Sequence, residues 1–215
     1  MGTPVDSEKT RAKIINAAGL LFAEKGYKGV TVRDIVGKAN THLSALNYHF
    51  RSKEALYREV LMEACKADQI TSADQAYLEK KKPLDALAIL VEEALKEYGQ
   101  KGETNWHSIV ITRECREPTV IFKDVAKAYF QPQTDFMASL IAKATGQLPE
   151  SDHVRFAVIA LIGLVETFGL YGHLIDAVSP QLQKNLKKDG LLIKKIVHQV
   201  LLGAKAPEDG NAKNG

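Results

Sequence analysis

At 215 residues the chain is long enough for one large domain, or for a small module carried by a larger one. Hydrophobic residues make up 45% of it, yet no run reaches the roughly 18 apolar residues of a membrane span, and the first residues carry no signal-peptide stretch. The net charge of +3 is uneven: residues 1–62 hold ten Lys/Arg against six Asp/Glu and residues 63–215 hold nineteen against twenty, so a phosphate-binding footprint is expected in the first segment only.

In chain order, Asp6 or Ser7 can cap a first helix whose inner face is Ile14, Ile15, Ala18, Leu21 and Phe22. Gly26 ends it where a left-handed residue is wanted. Thr31 caps a short second helix with Asp34 as its partner, and Val30 and Ile35 bracket the cap as a hydrophobic staple. Ile35, Val36 and Ala39 give that helix an apolar face. After Asn40 and Thr41 a third helix begins, marked by Leu43 and Leu46. His42 caps poorly, which leaves Thr41 as the alternative helix start. Ser52 opens a fourth helix with Glu54 in its first turn and Leu56, Tyr57, Val60 and Leu61 inward, expected to run into the seventies.

Pro83 begins a helix with Leu84, Leu87, Leu90, Val91 and Leu95 at helical spacing, closed by Gly99 and Gly102. Trp106 to Cys115 forms a short helix stopped near Pro118, and Val120 to Thr145 a longer one with a kink or break at Gln131-Pro132. Gly146 and Pro149 separate it from Ser151 to Gly172, and the last helix lies between Pro180 and Gly203, where Gly190 can divide it. No strand-like alternation is sustained, so the expected fold class is all-α. Residues 206–215 are polar and expected to be disordered.

Two short helices joined by a tight turn have the geometry of a helix-turn-helix, whose second helix probes the DNA major groove. On that helix Ser44 and Asn47 can bond base edges, Asn47 suiting adenine, and Leu43 and Ala45 can meet a thymine methyl. Leu46 and Phe50 are expected in the core. Arg33 can reach a phosphate or a guanine edge, and Lys53 and Thr31 can meet phosphates from helix starts.

The pattern Thr31-Val-Arg-Asp-Ile, a turn, then Leu46-Asn-Tyr-His-Phe-x-Ser-Lys-Glu-Ala-Leu56 resembles the DNA-binding head of the TetR family of bacterial regulators over roughly residues 7–62. The run Asn47-Tyr48-His49-Phe50 resembles its CerR-like branch. The turn carries Asn40 where the family usually has glycine, which asparagine replaces by tolerating the left-handed region. The resemblance implies phosphate contact by His49, and for Tyr48 either phosphate contact or packing beneath the helix. It also implies a homodimer on a double-stranded, inverted-repeat operator, most simply as a repressor released by a small-molecule effector. On that basis residues 1–62 are expected to be a three-helix DNA-binding head, and residues 63–205 a helical ligand-binding and dimerisation domain.

Within the second segment, Trp106, His107, Val110 and Arg113 share a helix face that can line an effector pocket, with Phe130, Phe136, Met137, Phe168 and Tyr171 as further lining candidates. The helix from Ser151 is apolar on nearly all sides and must be covered all round. Either a single well-filled monomer core covers it or a two-fold four-helix interface does; the resemblance implies the latter, from Phe156, Ala160, Gly163 and Leu164 together with Ile193, Ile196, Val197 and Val200 of the last helix. Small Ala157, Ala160 and Gly163 permit close approach.

Enzyme chemistry finds no foothold in the motifs. There is no phosphate loop, G-x-S-x-G or H-E-x-x-H. The six histidines are scattered, and Cys65 and Cys115 lie far apart, so no catalytic residue, metal or cofactor is assigned. The cysteine usage suits a reducing cytoplasm.

Overall fold

A computed structural model describes residues 4–66, 69–100, 106–182, 185 and 190–203; the tail 206–215 lies outside them. The elements are α1 (Pro4–Lys25), α2 (Val32–Lys38), α3 (Leu43–Phe50), α4 (Lys53–Lys66), α5 (Ser72–Leu78), α6 (Pro83–Gln100), α7 (Trp106–Arg116), α8 (Phe122–Thr145), α9 (Asp152–Leu170), α10 (Gly172–Val178) and α11 (Gly190–Gly203). Among the described residues there is no strand, and the all-α expectation holds. No single described helix is long and apolar enough to cross a membrane.

Several element boundaries differ from expectation. α1 begins earlier, at Pro4, where a fixed φ and a missing N–H suit a first helical turn. α4 stops at Lys66 instead of continuing. A separate α5, not expected from the sequence, starts at a capping box: Thr71 Oγ1 accepts from the Asp74 N–H, and the Asp74 carboxylate accepts from the Thr71 N–H. α8 continues through Pro132, so of the expected kink or break there is no break. α10 was not anticipated.

The chain divides into two compact units. The first joins residues 1–69 to 103–132, and the second joins 70–102 to 133–215. This cut differs from the boundary expected after residue 62, because α7 and the start of α8 pack into the core of the first helices. That core comprises Ile14, Ala18, Leu21 and Phe22 of α1, Ile35, Leu46 and Phe50 of the helix-turn-helix, Leu56, Tyr57, Val60 and Leu61 of α4, and Trp106, Val110, Ile121 and Val125. The core of the second unit is built by Ala86, Leu87 and Val91 of α6, Leu140 and Ile141 of α8, Val154, Ala157, Val158 and Leu161 of α9, and Ile193, Val197 and Leu201 of α11.

α9 resolves into two stripes. Val154, Ala157, Val158 and Leu161 are buried, while Phe156 (74% exposed), Ile159 (62%) and Gly163 face outward. Ala160 and Leu164 are half-buried beside the outward stripe. On α11, Ile193 and Val197 belong to the unit's own core and so leave the expected interface set. Ile196 and Val200 are half-buried, and the outward apolar groups are Leu191 and Leu202. The spacing alone could not say which stripe of an all-round apolar helix turns inward.

Candidate nucleic-acid interface

The first unit presents α3 on a rigid mount. Thr31 caps α2 with its hydroxyl accepting from the Asp34 N–H at 3.2 Å, and Asp34 Oδ2 accepts in turn from the Thr31 N–H (2.8 Å) and hydroxyl (2.7 Å). These bonds hold the Asp34 carboxyl below the usual carboxylate range, the side-chain bond to Thr31 first and the backbone bond second. Thr31 is thereby engaged in closing α2. Arg33, in the first turn of α2, is exposed. Val30 and Ile35 of the staple are both buried.

Asn40 takes φ +47°, the left-handed conformation expected of the residue standing in for glycine. The turn is closed by Thr41 N–H donating to the Val36 carbonyl at 3.0 Å. His42 then occupies the cap position of α3 without a side-chain bond, and its carbonyl accepts from the Ala45 and Leu46 N–H groups. The helix therefore starts at Leu43, and Thr41 does not take over.

That register sorts α3 into faces. Leu46 (0% exposed) and Phe50 (4%) lock into the core. Leu43, Ser44, Asn47 and Tyr48 are exposed and span an arc of about 140° at 100° per residue. Tyr48 is 78% exposed, so packing beneath the helix is excluded for it. Ala45 and His49 are half-buried at the flank, and the His49 ring lies 5.1 Å from Tyr48. Arg51, with φ +59°, ends the helix. Ser52 Oγ accepts from the Ala55 N–H at the start of α4. The Lys53 ammonium rests 4.3 Å from the centroid of the Tyr27 ring, and partial desolvation draws it below the usual lysine range.

Beside the end of α3 is a groove of about 470 Å³ lined by Arg11, His49, Arg51, Ser52 and Arg58 with Phe50, Glu54, Ala55 and Glu59. Arg11 pairs with Glu59, and Arg58 with Asp124 at 3.4 Å. Ser52 was expected only as the start of α4, and Arg11, Arg51 and Arg58 were not singled out in the sequence. The one signal for them was the basic excess of residues 1–62, because the approach of α1 to α4 is a tertiary fact.

The expected effector-pocket residues are distributed over both units. Trp106, Val110 and Phe130 pack in the first core, and Phe136, Met137 and Phe168 in the second. Tyr171 is exposed at the start of α10. Trp106 and Arg113 of α7 bond to α1. Trp106 Nε1 donates to Asn16 Oδ1 at 3.0 Å, and its ring lies so close to Gly19 that a Cβ there would sit 2.5 Å from it. His107 stacks on Trp106 at 3.8 Å. Arg113 donates to the carbonyls of Ala23 (3.3 Å) and Glu24 (3.2 Å) at the C-terminus of α1, where a cation is favoured by the helix dipole. Of the four residues expected on one helix face, Trp106 and Arg113 contact α1.

Comparison with known proteins bears on both units. Residues 14–60 match the family model described as bacterial regulatory proteins, tetR family. Residues 83–202, more than half of the chain, match the C-terminal domain of the HTH-type transcriptional dual regulator CecR. The chain belongs to the TetR family. The branch suggested by Asn47 to Phe50 has a looser counterpart in the CecR match.

One relative of this TetR-family chain is the HTH-type transcriptional repressor KstR2 of Mycolicibacterium smegmatis, 38% identical over 61 residues. That match takes in 28% of the chain and 30% of KstR2, so it spans less than a third of the relative's length. Among solved structures, a tetR-family regulatory protein from Rhodococcus RHA1 superposes with a TM-score of 0.62 at 18% identity, over 93% of this chain and 99% of that one. AibR, solved in complex with isovaleryl coenzyme A and operator DNA, superposes with a TM-score of 0.58 at 16% identity, over 74% of this chain and 85% of AibR. At these identities the two structures establish the shared fold.

Proposed function

We propose that this chain is a sequence-specific, DNA-binding transcription regulator that acts as a homodimer on an inverted-repeat operator, as a repressor relieved by a small-molecule effector. The observation that carries the reading is the division of α3, with Leu46 and Phe50 in the core and Leu43, Ser44, Asn47 and Tyr48 outward. A helix held this way offers three hydrogen-bonding groups (Ser44, Asn47 and Tyr48) and one apolar group (Leu43) to a groove. Arg33, His49 and Lys53 flank it as phosphate contacts, which position the protein without reading sequence. The outward apolar stripe of α9, with the half-buried Leu164, Ile196 and Val200, supports dimerisation, and KstR2 and AibR support a repressor that meets DNA and an acyl-type ligand. The protein works in the cytoplasm by binding, without catalysis, and the ligand acts through its different affinity for DNA-competent and incompetent states.

Selection of bound duplexes from a random pool by the full-length chain tests this. Enrichment of an inverted repeat with half-sites about one helical turn, or a multiple, apart is expected. A pool that enriches no symmetric sequence, or binding indifferent to salt, would sink the proposal.

A further inference from the structure

We infer that Glu114, outside the helix-turn-helix, is a positioning residue for DNA backbone contact: through Tyr57 and Tyr27 it holds the Lys53 ammonium at the start of α4. The inference rests on the DNA-binding reading above and adds to it a chain of contacts.

Glu114 is the one polar or charged side chain buried in the core among the described residues, at 2% exposure. An apolar side chain would fill the same space without a desolvation cost. What the carboxylate adds is direction. Its Oε1 accepts from the Tyr57 hydroxyl at 2.5 Å, and its Oε2 accepts from the Thr119 N–H at 2.7 Å and the Thr119 hydroxyl at 3.2 Å. Burial, then the bond to Glu114, push the Tyr57 hydroxyl far above the ordinary tyrosine range, so it remains a donor. With its hydroxyl fixed, the Tyr57 ring is fixed too. It meets Phe22 edge-on at 4.7 Å and Tyr27 at 4.7 Å between centroids.

Tyr27 in turn carries Lys53 on its face at 4.3 Å, inside the range of a cation–π contact. Lys53 and Tyr57 are four residues apart on α4 and therefore share a face. A lysine side chain left to itself spreads its ammonium over many rotamers, and the entropy of ordering it offsets a single exposed phosphate contact, so that the contact is lost. The ring confines that ammonium beforehand. The path thus runs from α7, through the buried carboxylate and two tyrosines, to a cation at the first turn of α4.

The test uses the full chain and a labelled mixed-sequence duplex about three helical turns long, with binding titrated over a series of salt concentrations. Lys53→Ala is expected to reduce the slope of log affinity against log salt by about 0.9 for each bound head. Tyr57→Phe keeps the ring and removes the hydroxyl, and is expected to reduce the slope by a comparable amount, as is Glu114→Gln. The double variant Lys53→Ala/Tyr57→Phe is expected to match Lys53→Ala alone, because both act through one ammonium. A merely structural role would lower affinity without this pattern of slopes. Fluorescence of Trp106, the single tryptophan, and thermal unfolding report whether α7 is still seated.

A folded Tyr57→Phe with the parental slope, or additive losses in the double variant, overturns the relay and leaves the DNA-binding reading standing. A parental slope for Lys53→Ala overturns the relay together with the phosphate role of Lys53. Absence of salt-dependent binding by the parent overturns the DNA-binding reading itself. Should Tyr57→Phe fail to fold, Tyr27→Leu and Tyr27→Phe decide: the first is expected to lose the slope and the second to rescue it, and equal slopes for the two overturn the relay.

Discussion

Asn47 shows what a single residue can be asked to do here. It is exposed on α3 one turn after Leu43, while Leu46 beside it is sealed in the core, so truncating it removes a polar group without touching the fold. Asn47→Ala is expected to cost roughly 1–3 kcal/mol of operator affinity and to relax preference at one base pair per half-site. Repeating the random-pool selection with the variant checks this, and an unchanged consensus removes Asn47 from the readers. The polarity pattern was legible because α3 has one inward stripe, set by Leu46 and Phe50. Tyr48 was not, since a tyrosine suits both a phosphate and a core, and 78% exposure decides it. Arg51 was hidden for a different reason: no sequence rule asks a non-glycine to end a helix at φ +59°.

Elements were legible where capping chemistry and apolar period agreed, and obscured where one masked the other. Thr31 and Asp34 announce α2 because a turn precedes them; Thr71 and Asp74 offer the same chemistry, but the apolar run of α4 masks the break after Lys66. Thr31→Ala removes the acceptor for the Asp34 N–H and the donor to its carboxylate, and is expected to cost about 1 kcal/mol of stability near neutral pH. The pH dependence has a definite sign. The folded Asp34 pKa is depressed by its bonds to Thr31, so its contribution is present above the ordinary carboxylate range and lost as pH falls through the depressed value. Thermal unfolding of parent and variant from neutral to acid should show a gap that narrows in acid. A gap constant with pH would mean that the hydroxyl, and not the carboxylate pairing, carries the cap.

The whole molecule is organised by two cores, and only tertiary contact reveals that residues 103–132 belong with the first. A fragment ending at residue 62 would bare the surfaces of α1 and α4 that Trp106, Val110 and Ile121 cover, so it is expected to melt without a cooperative transition, whereas the full chain unfolds cooperatively by circular dichroism. The second unit leaves the α9 stripe of Phe156, Ile159 and Gly163 outward. In the proposed homodimer, that bare apolar stripe is the surface to be covered, a second copy applying the same stripe to itself across a two-fold axis. Gly163 is the sharpest place to test this, because a Cβ built there meets nothing within 4 Å and a large side chain does not disturb the unit's own packing. Gly163→Arg is therefore expected to keep its helical signal and unfolding cooperativity, since the guanidinium of a lone chain stays in water. In the dimer the same charge would be buried without a partner, at a cost of several kcal/mol. Sedimentation should then find the variant monomeric, and titration of a selected operator should find weak binding at one half-site. A variant that remains dimeric and binds the operator as the parent does would place the two-fold interface on another face.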